Sequence, residues 1–166
     1  MIEVLVTMVI VSIGLLGFAK MQAAVLSSTQ AARVRSLVAL QVNSLASAMY
    51  GNRSYWSSDA APAGFTSASG SVEDASGVLT AAVDCRAANC TPAQMAAYDV
   101  QTWAGNLQAH FPTYAAVVAC DPPGASPARC SIDVTWDETT VAMNRSVVAE
   151  SSAMTARRQF TLLVEP

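Results

Sequence analysis

The stretch Met1–Lys20, MIEVLVTMVIVSIGLLGFAK, decides how the rest of the chain is read. Glu3 and Lys20 bracket an uncharged run, Val4–Ala19, that is apolar all round. A helix of that kind belongs in lipid or inside a bundle of similar helices. A cleaved secretory signal begins with positive charge, whereas this segment begins with a carboxylate. A plain membrane anchor explains the length but not Glu3, and a buried soluble helix would be less uniform. A carboxylate at the edge of a membrane segment is costly and needs a partner, such as the α-amino group of a neighbouring chain.

The 166 residues are 52% apolar and 13% charged, which excludes general disorder and allows one domain with a sizeable core. Charge is unevenly placed. Residues 1–53 carry Lys20, Arg33, Arg35 and Arg53 against Glu3, a balance of +3; the remainder carries five arginines against eleven acids, a balance of −6. With a pI near 4.9, the acidic head argues against nucleic acid as a partner, and the basic arm suits anionic lipid.

No proline occurs before Pro62, so a helix from about residue 2 to 50 is expected, roughly 70 Å long at 1.5 Å per residue. Its second half is amphipathic: Val25, Leu26, Thr29, Ala32, Val34, Leu37, Leu40, Val42, Leu45 and Met49 recur at spacings of three and four. Gly51-Asn52 is the stop signal. The chain is therefore read as a membrane or bundle-core half, 1–24, and a head, 25–166, that includes the amphipathic helix of about 25–50.

Cys85, Cys90, Cys120 and Cys130 all lie in the head. An even number in an exported-looking domain reads as two disulfides in an oxidising compartment. Three connectivities exist, and Cys85–Cys90 with Cys120–Cys130 is favoured because each closes a short loop. Residues 51–84 read as a long loop, with Tyr55, Trp56 and Phe65 either anchoring it on the core or forming an adhesive or subunit-contact surface, and Val78–Val83 as an edge strand or short helix. Thr91-Pro92-Ala93-Gln94 is a capping box with proline at the first helical position. Ala96, Val100, Trp103, Leu107 and Phe111 then mark an amphipathic helix over about 92–109, stopped by Pro112. Tyr114–Cys120 and Ser131–Trp136 read as a hairpin tied by Cys120–Cys130, with Ile132, Val134 and Trp136 on one face. Gln159–Val164 is a terminal strand with Phe160, Leu162 and Val164 facing inward, and a further short strand is expected around Ser146–Ala149. The fold class is α+β: a long N-terminal helix packed on a small antiparallel sheet of three to five strands, with one additional helix.

Neither a catalytic constellation nor a metal or cofactor site emerges, and no small-molecule substrate is expected. His110 lies at a helix end, where the dipole favours it. Cys90 stands near a helix start, but the Cys85–Cys90 spacing is not the redox C-x-x-C. Glu73-Asp74 and Asp137-Glu138 read as solvated turns, and Arg157-Arg158 as flanking the last strand or meeting an acidic neighbour.

Met1-Ile2-Glu3-Val4-Leu5-Val6, followed by Val9–Gly17, closely resembles the type IV prepilin N-terminus. The Ile13-Gly14-Leu15-Leu16-Gly17 run and the absence of an early proline resemble the minor pilin class called pilus modification protein, PilV. So does Cys90–Asp99 with Trp103. The two matches cover roughly 60 residues. The resemblance implies a type IV pilin-like fold and makes Glu3 the assembly residue. In that family a prepilin peptidase cuts after a leader glycine and the new N-terminus is methylated. Leader, glycine and usual phenylalanine are absent here, so the chain is expected to begin two residues inside the mature protein. Gly14 and Gly17 are expected to give the helix local flexibility. The implied role is a pilus subunit, held first in the bacterial inner membrane with its head in the periplasm, then in the surface fibre. It would contact other minor pilins and the major pilin, and support assembly, adhesion and twitching. The alternatives are a type II secretion pseudopilin and, in another class, a membrane-anchored periplasmic thiol redox protein.

Overall fold

A computed structural model describes residues 2–122, 128–139 and 155–166. The elements are α1 (Ile2–Gly51), α2 (Arg53–Trp56), β1 (Gly64–Ala68), β2 (Ser71–Asp74), α3 (Pro92–His110), β3 (Ala115–Cys120), β4 (Cys130–Thr139) and β5 (Thr155–Val164). The chain divides into two units, residues 1–35 with 139–156 and residues 36–138 with 157–166. The boundary falls inside α1.

In the second unit, the end of α1 buries Val38, Val42, Leu45, Ala46 and Met49 on one face. The expected stripe is corrected in two places: Val25, Leu26, Thr29 and Ala32 are exposed and lie in the first unit, and within the second unit Leu40 departs from it. It lies about 200° around the helix from Val38 at 100° per residue, and it is 66% exposed. The helix ends at Gly51, where the Asn52 N–H donates to the carbonyls of Ala48 and Met49.

Residues 51–84 are more ordered than their composition suggests. Tyr55 and Trp56 of α2 are buried, and the Trp56 ring lies 6.4 Å from that of Phe65. Phe65 belongs to a β1–β2 hairpin whose two-residue turn, Ser69-Gly70, has φ of 51° and 77°. Positive φ at both central positions matches the twist of antiparallel strands, and glycine makes it accessible. Gly64 answers a different demand: a Cβ there would collide with the Val118 carbonyl of the neighbouring strand.

Val78–Val83 forms neither strand nor helix. The Asp74 carboxylate takes the N–H groups of Val78 and Leu79 at 3.2 and 3.1 Å, and so competes with regular backbone pairing. Leu79 is fully buried, and Gln101 Nε2 donates to the carbonyls of Leu79 and Ala81 at 2.8 Å, fixing this crossing to α3.

α3 begins at the expected capping box. Thr91 Oγ1 accepts from the Gln94 N–H, and Gln94 Oε1 accepts from the Thr91 N–H at 2.9 Å. Ala96, Val100, Trp103, Leu107 and Phe111 are all buried. Trp103 Nε1 donates to the Gln41 carbonyl of α1 at 2.9 Å, so the largest side chain of the stripe is satisfied as well as buried.

The strands form one five-stranded antiparallel sheet, ordered β2-β1-β3-β4-β5. β3 and β4 pair from Ala115↔Thr135 to Cys120↔Cys130, which is the expected hairpin. Phe65, Ala116, Val118, Ile132, Val134 and Trp136 are buried on its core side. Ser67 is buried there too and shares a 2.6 Å hydrogen bond with the Tyr114 hydroxyl. β4 and β5 both extend beyond their sequence-based limits, to Thr139 and from Thr155. The strand expected around Ser146–Ala149 lies outside the described residues.

Candidate functional site

The first unit holds the membrane-length segment. Ile2–Ala19 lies wholly within α1, has a mean hydropathy of 2.4, and buries none of its side chains. By length and composition this helix is able to cross a membrane, a property shared by signal sequences. Its two hydroxyls do not oppose that environment. Thr7 Oγ1 donates to the Val4 carbonyl at 2.9 Å and Ser12 Oγ to the Met8 carbonyl at 2.7 Å, so both are satisfied within the helix. Glu3 sits in the first turn, where a helix terminus favours negative charge. Gly14 and Gly17 are helical, with open space where a Cβ would stand.

The cysteines lie elsewhere. Cys85 is bonded to Cys90, with Cα atoms 5.5 Å apart, immediately before the N-cap of α3. Cys120 is bonded to Cys130, with Cα atoms 3.9 Å apart, across the β3–β4 hairpin. The favoured connectivity is therefore the observed one. Each bridge fixes a local loop.

Asp137-Glu138 lies in β4 with Glu138 buried, not in a solvated turn, and meets the Arg157-Arg158 pair of β5. Arg157 Nε approaches Asp137 at 3.4 Å, and Arg158 Nε approaches the buried Glu138 at 3.0 Å. Asp74 caps its own turn, also accepting from Ser76, which absorbs one carboxylate of the Glu73-Asp74 pair. His110 Nδ1 lies 2.8 Å from the Asn106 carbonyl in the last turn of α3. Among the described residues no group of three or more His, Cys, Asp or Glu side chains is placed to hold a metal ion. Burial, and then the negative charge of Asp74, raise the pKa of Tyr55 above the ordinary tyrosine value. Burial likewise raises the pKa of Asp99.

Sequence reasoning missed one surface. Tyr50, Arg129, Leu163, Val164 and Glu165 line an open groove of about 450 Å³, with Tyr50 54% and Leu163 78% exposed. Its signal was the Leu162-Leu163 doublet: in an alternating strand one of two consecutive leucines must face outward.

No family model, no curated protein and no solved structure matches the chain.

Proposed function

We propose that this chain is a minor-pilin-type subunit, a structural protein that acts by assembly rather than catalysis. The observation that carries the reading is the unburied, membrane-length segment Ile2–Ala19, which has a carboxylate in its first turn and belongs to the helix that ends on an α+β core. The segment would wait in the bacterial inner membrane and then pass into a bundle of like helices. In lipid Glu3 is costly, and the N-terminal amine of a neighbouring subunit would stabilise it and select the register. The head would stay periplasmic and then surface-exposed, its loops held by the two disulfides. There it would contact other minor pilins and the major pilin in priming or at a tip that supports adhesion and twitching.

The test is crosslinking in whole cells, with a photo-crosslinker at exposed Ser57, remote in sequence from all four cysteines, in chains carrying Glu3 or Glu3→Ala. The expected result is crosslinks to other pilins in membranes and in sheared fibres. Glu3→Ala should abolish those in fibres while the membrane protein stays abundant. A chain that remains in the membrane with no pilin partner in either version would sink the reading, and a membrane-anchored redox protein would replace it. Crosslinks to secretion pseudopilins alone would move the chain to that system.

A further inference from the structure

Asp99 is half-buried on α3 and, among the described residues, has neither a hydrogen bond nor an ion pair. Burial alone shifts its pKa, with no neighbouring charge or donor to offset it. Other enclosed acids of the head are compensated: Glu138 meets Arg158, and Asp74 takes two backbone amides. A carboxylate that weakens its own fold at neutral pH, and has no such compensation, marks a candidate binding site.

Asp99 lines a crevice of about 120 Å³ between the second half of α1 and α3, wholly within the second unit. Asp99, Thr102 and Asn106 stand three and four residues apart and so share one face of α3, opposite Ser44 of α1. Leu45 and Trp103 are buried and form the floor, while Ser44 and Asn106 are exposed at the rim. The one indole donor, Trp103 Nε1, is spent on the Gln41 carbonyl. No lysine, arginine or histidine lines the space.

These features select an occupant by charge and by size. An uncompensated carboxylate, hydroxyl and amide oxygens at the rim and an aromatic floor suit an organic cation and oppose an anion. The crevice is far below the roughly 300–1,000 Å³ of a pocket that encloses a whole small molecule. It admits one ammonium or guanidinium head. A free amine held by that head alone gains little against the cost of immobilising it. The same group carried on a protein surface adds to other contacts, and there it fixes register and partner choice.

We propose that the crevice between α1 and α3 is a socket for one lysine or arginine side chain of a neighbouring polypeptide, with Asp99 as the counter-charge. The socket belongs to the head. It rests neither on the assembly role of Glu3 nor on the partner being a pilin.

The test uses the full chain, in detergent micelles and in cells. In micelles, methylguanidinium or n-butylammonium chloride should shift the Trp103 indole N–H resonance saturably. Asp99→Asn, which keeps the shape and removes the charge, should weaken that binding about tenfold. In cells, a photo-crosslinker at exposed Asn106 should capture a polypeptide beside one of its lysines or arginines, and Asp99→Asn should cut the yield about fivefold. Reversing the charge of that basic residue should abolish the crosslink, and Asp99→Lys opposite it should restore it. An equal shift with sodium or calcium chloride at matched ionic strength would overturn the proposal. So would capture at Asn106 that ignores Asp99, or binding of the free amines with no polypeptide captured. Glu3→Ala should leave the micelle titration untouched, so the socket and the pilin assignment can fail separately.

Discussion

Two stretches of the same helix live under opposite rules. Between Ile2 and Ala19 every described side chain faces outward, whatever its position around the axis. Between Val38 and Met49 the buried side chains, Val38, Val42, Leu45, Ala46 and Met49, keep to one stripe, while Leu40 and the polar Asn43, Ser44 and Ser47 are exposed. Backbone geometry is helical in both. The difference lies in what each stretch needs from outside itself. The second completes its environment within its own chain, through the sheet and α3. The first can do so only through lipid or other helices.

That contrast can be broken most forcefully at Trp103. Truncating it to alanine removes a buried indole and the hydrogen bond to Gln41. The head should lose about 3–5 kcal/mol of stability, read by denaturant titration of the full chain in micelles. Leu15→Ala, which removes an exposed side chain from the first stretch, should leave that titration unchanged within about 0.5 kcal/mol. A comparable loss at Leu15 would mean that the first stretch is supported by its own chain after all.

A smaller effect separates the head from the arm by redox state. Cys120→Ser with Cys130→Ser opens a loop of sequence separation 10, which on loop entropy should cost about 2–3 kcal/mol. Extraction of the protein from membranes should be unaffected, because no cysteine lies in α1. Denaturant titration of the double variant checks the first statement and membrane fractionation the second.

The smallest effect concerns Asp99. Burial raises its folded pKa above the unfolded value, so the folded state holds the proton more tightly. Its contribution to stability therefore falls as pH rises from the unfolded pKa through the raised folded one, and is unfavourable at neutral pH. Asp99→Asn should slightly stabilise the head at pH 7 and flatten the stability profile across that acidic window. An unchanged pH profile would show that the carboxylate is already well solvated.

Much of this architecture was legible in the residues. Thr91-Pro92-Ala93-Gln94 announced α3 because each residue type fills one role at a helix start, and the Trp103 stripe followed at helical spacing. Cys120 and Cys130 announced the base of the β3–β4 hairpin. Residues 51–84 were harder. β1 is Gly-Phe-Thr-Ser-Ala, with one large apolar side chain, so its strand character comes from pairing with β3 rather than from propensity. The Ser69-Gly70 turn was visible as a dipeptide but sat among many other small residues. Val78–Val83 misled in the other direction, because the Asp74 carboxylate takes its first two amides away from any regular backbone pairing. Leu40 misled because spacings of three and four, followed without fixing an angle, drift around the helix. Glu3 stood out as the carboxylate before an apolar run, whereas the crevice at Asp99 did not, since a crevice is a property of how two helices pack.

The Cys120–Cys130 bond joins two residues that are direct partners in the sheet. A strand that slipped by one residue would bring Arg129 or Ser131 opposite Cys120 and turn Ile132, Val134 and Trp136 to the wrong side. The thiols would then point to opposite faces and could not join. Closure of this bond therefore requires β3 and β4 to be in register, and once closed it holds that register against slippage.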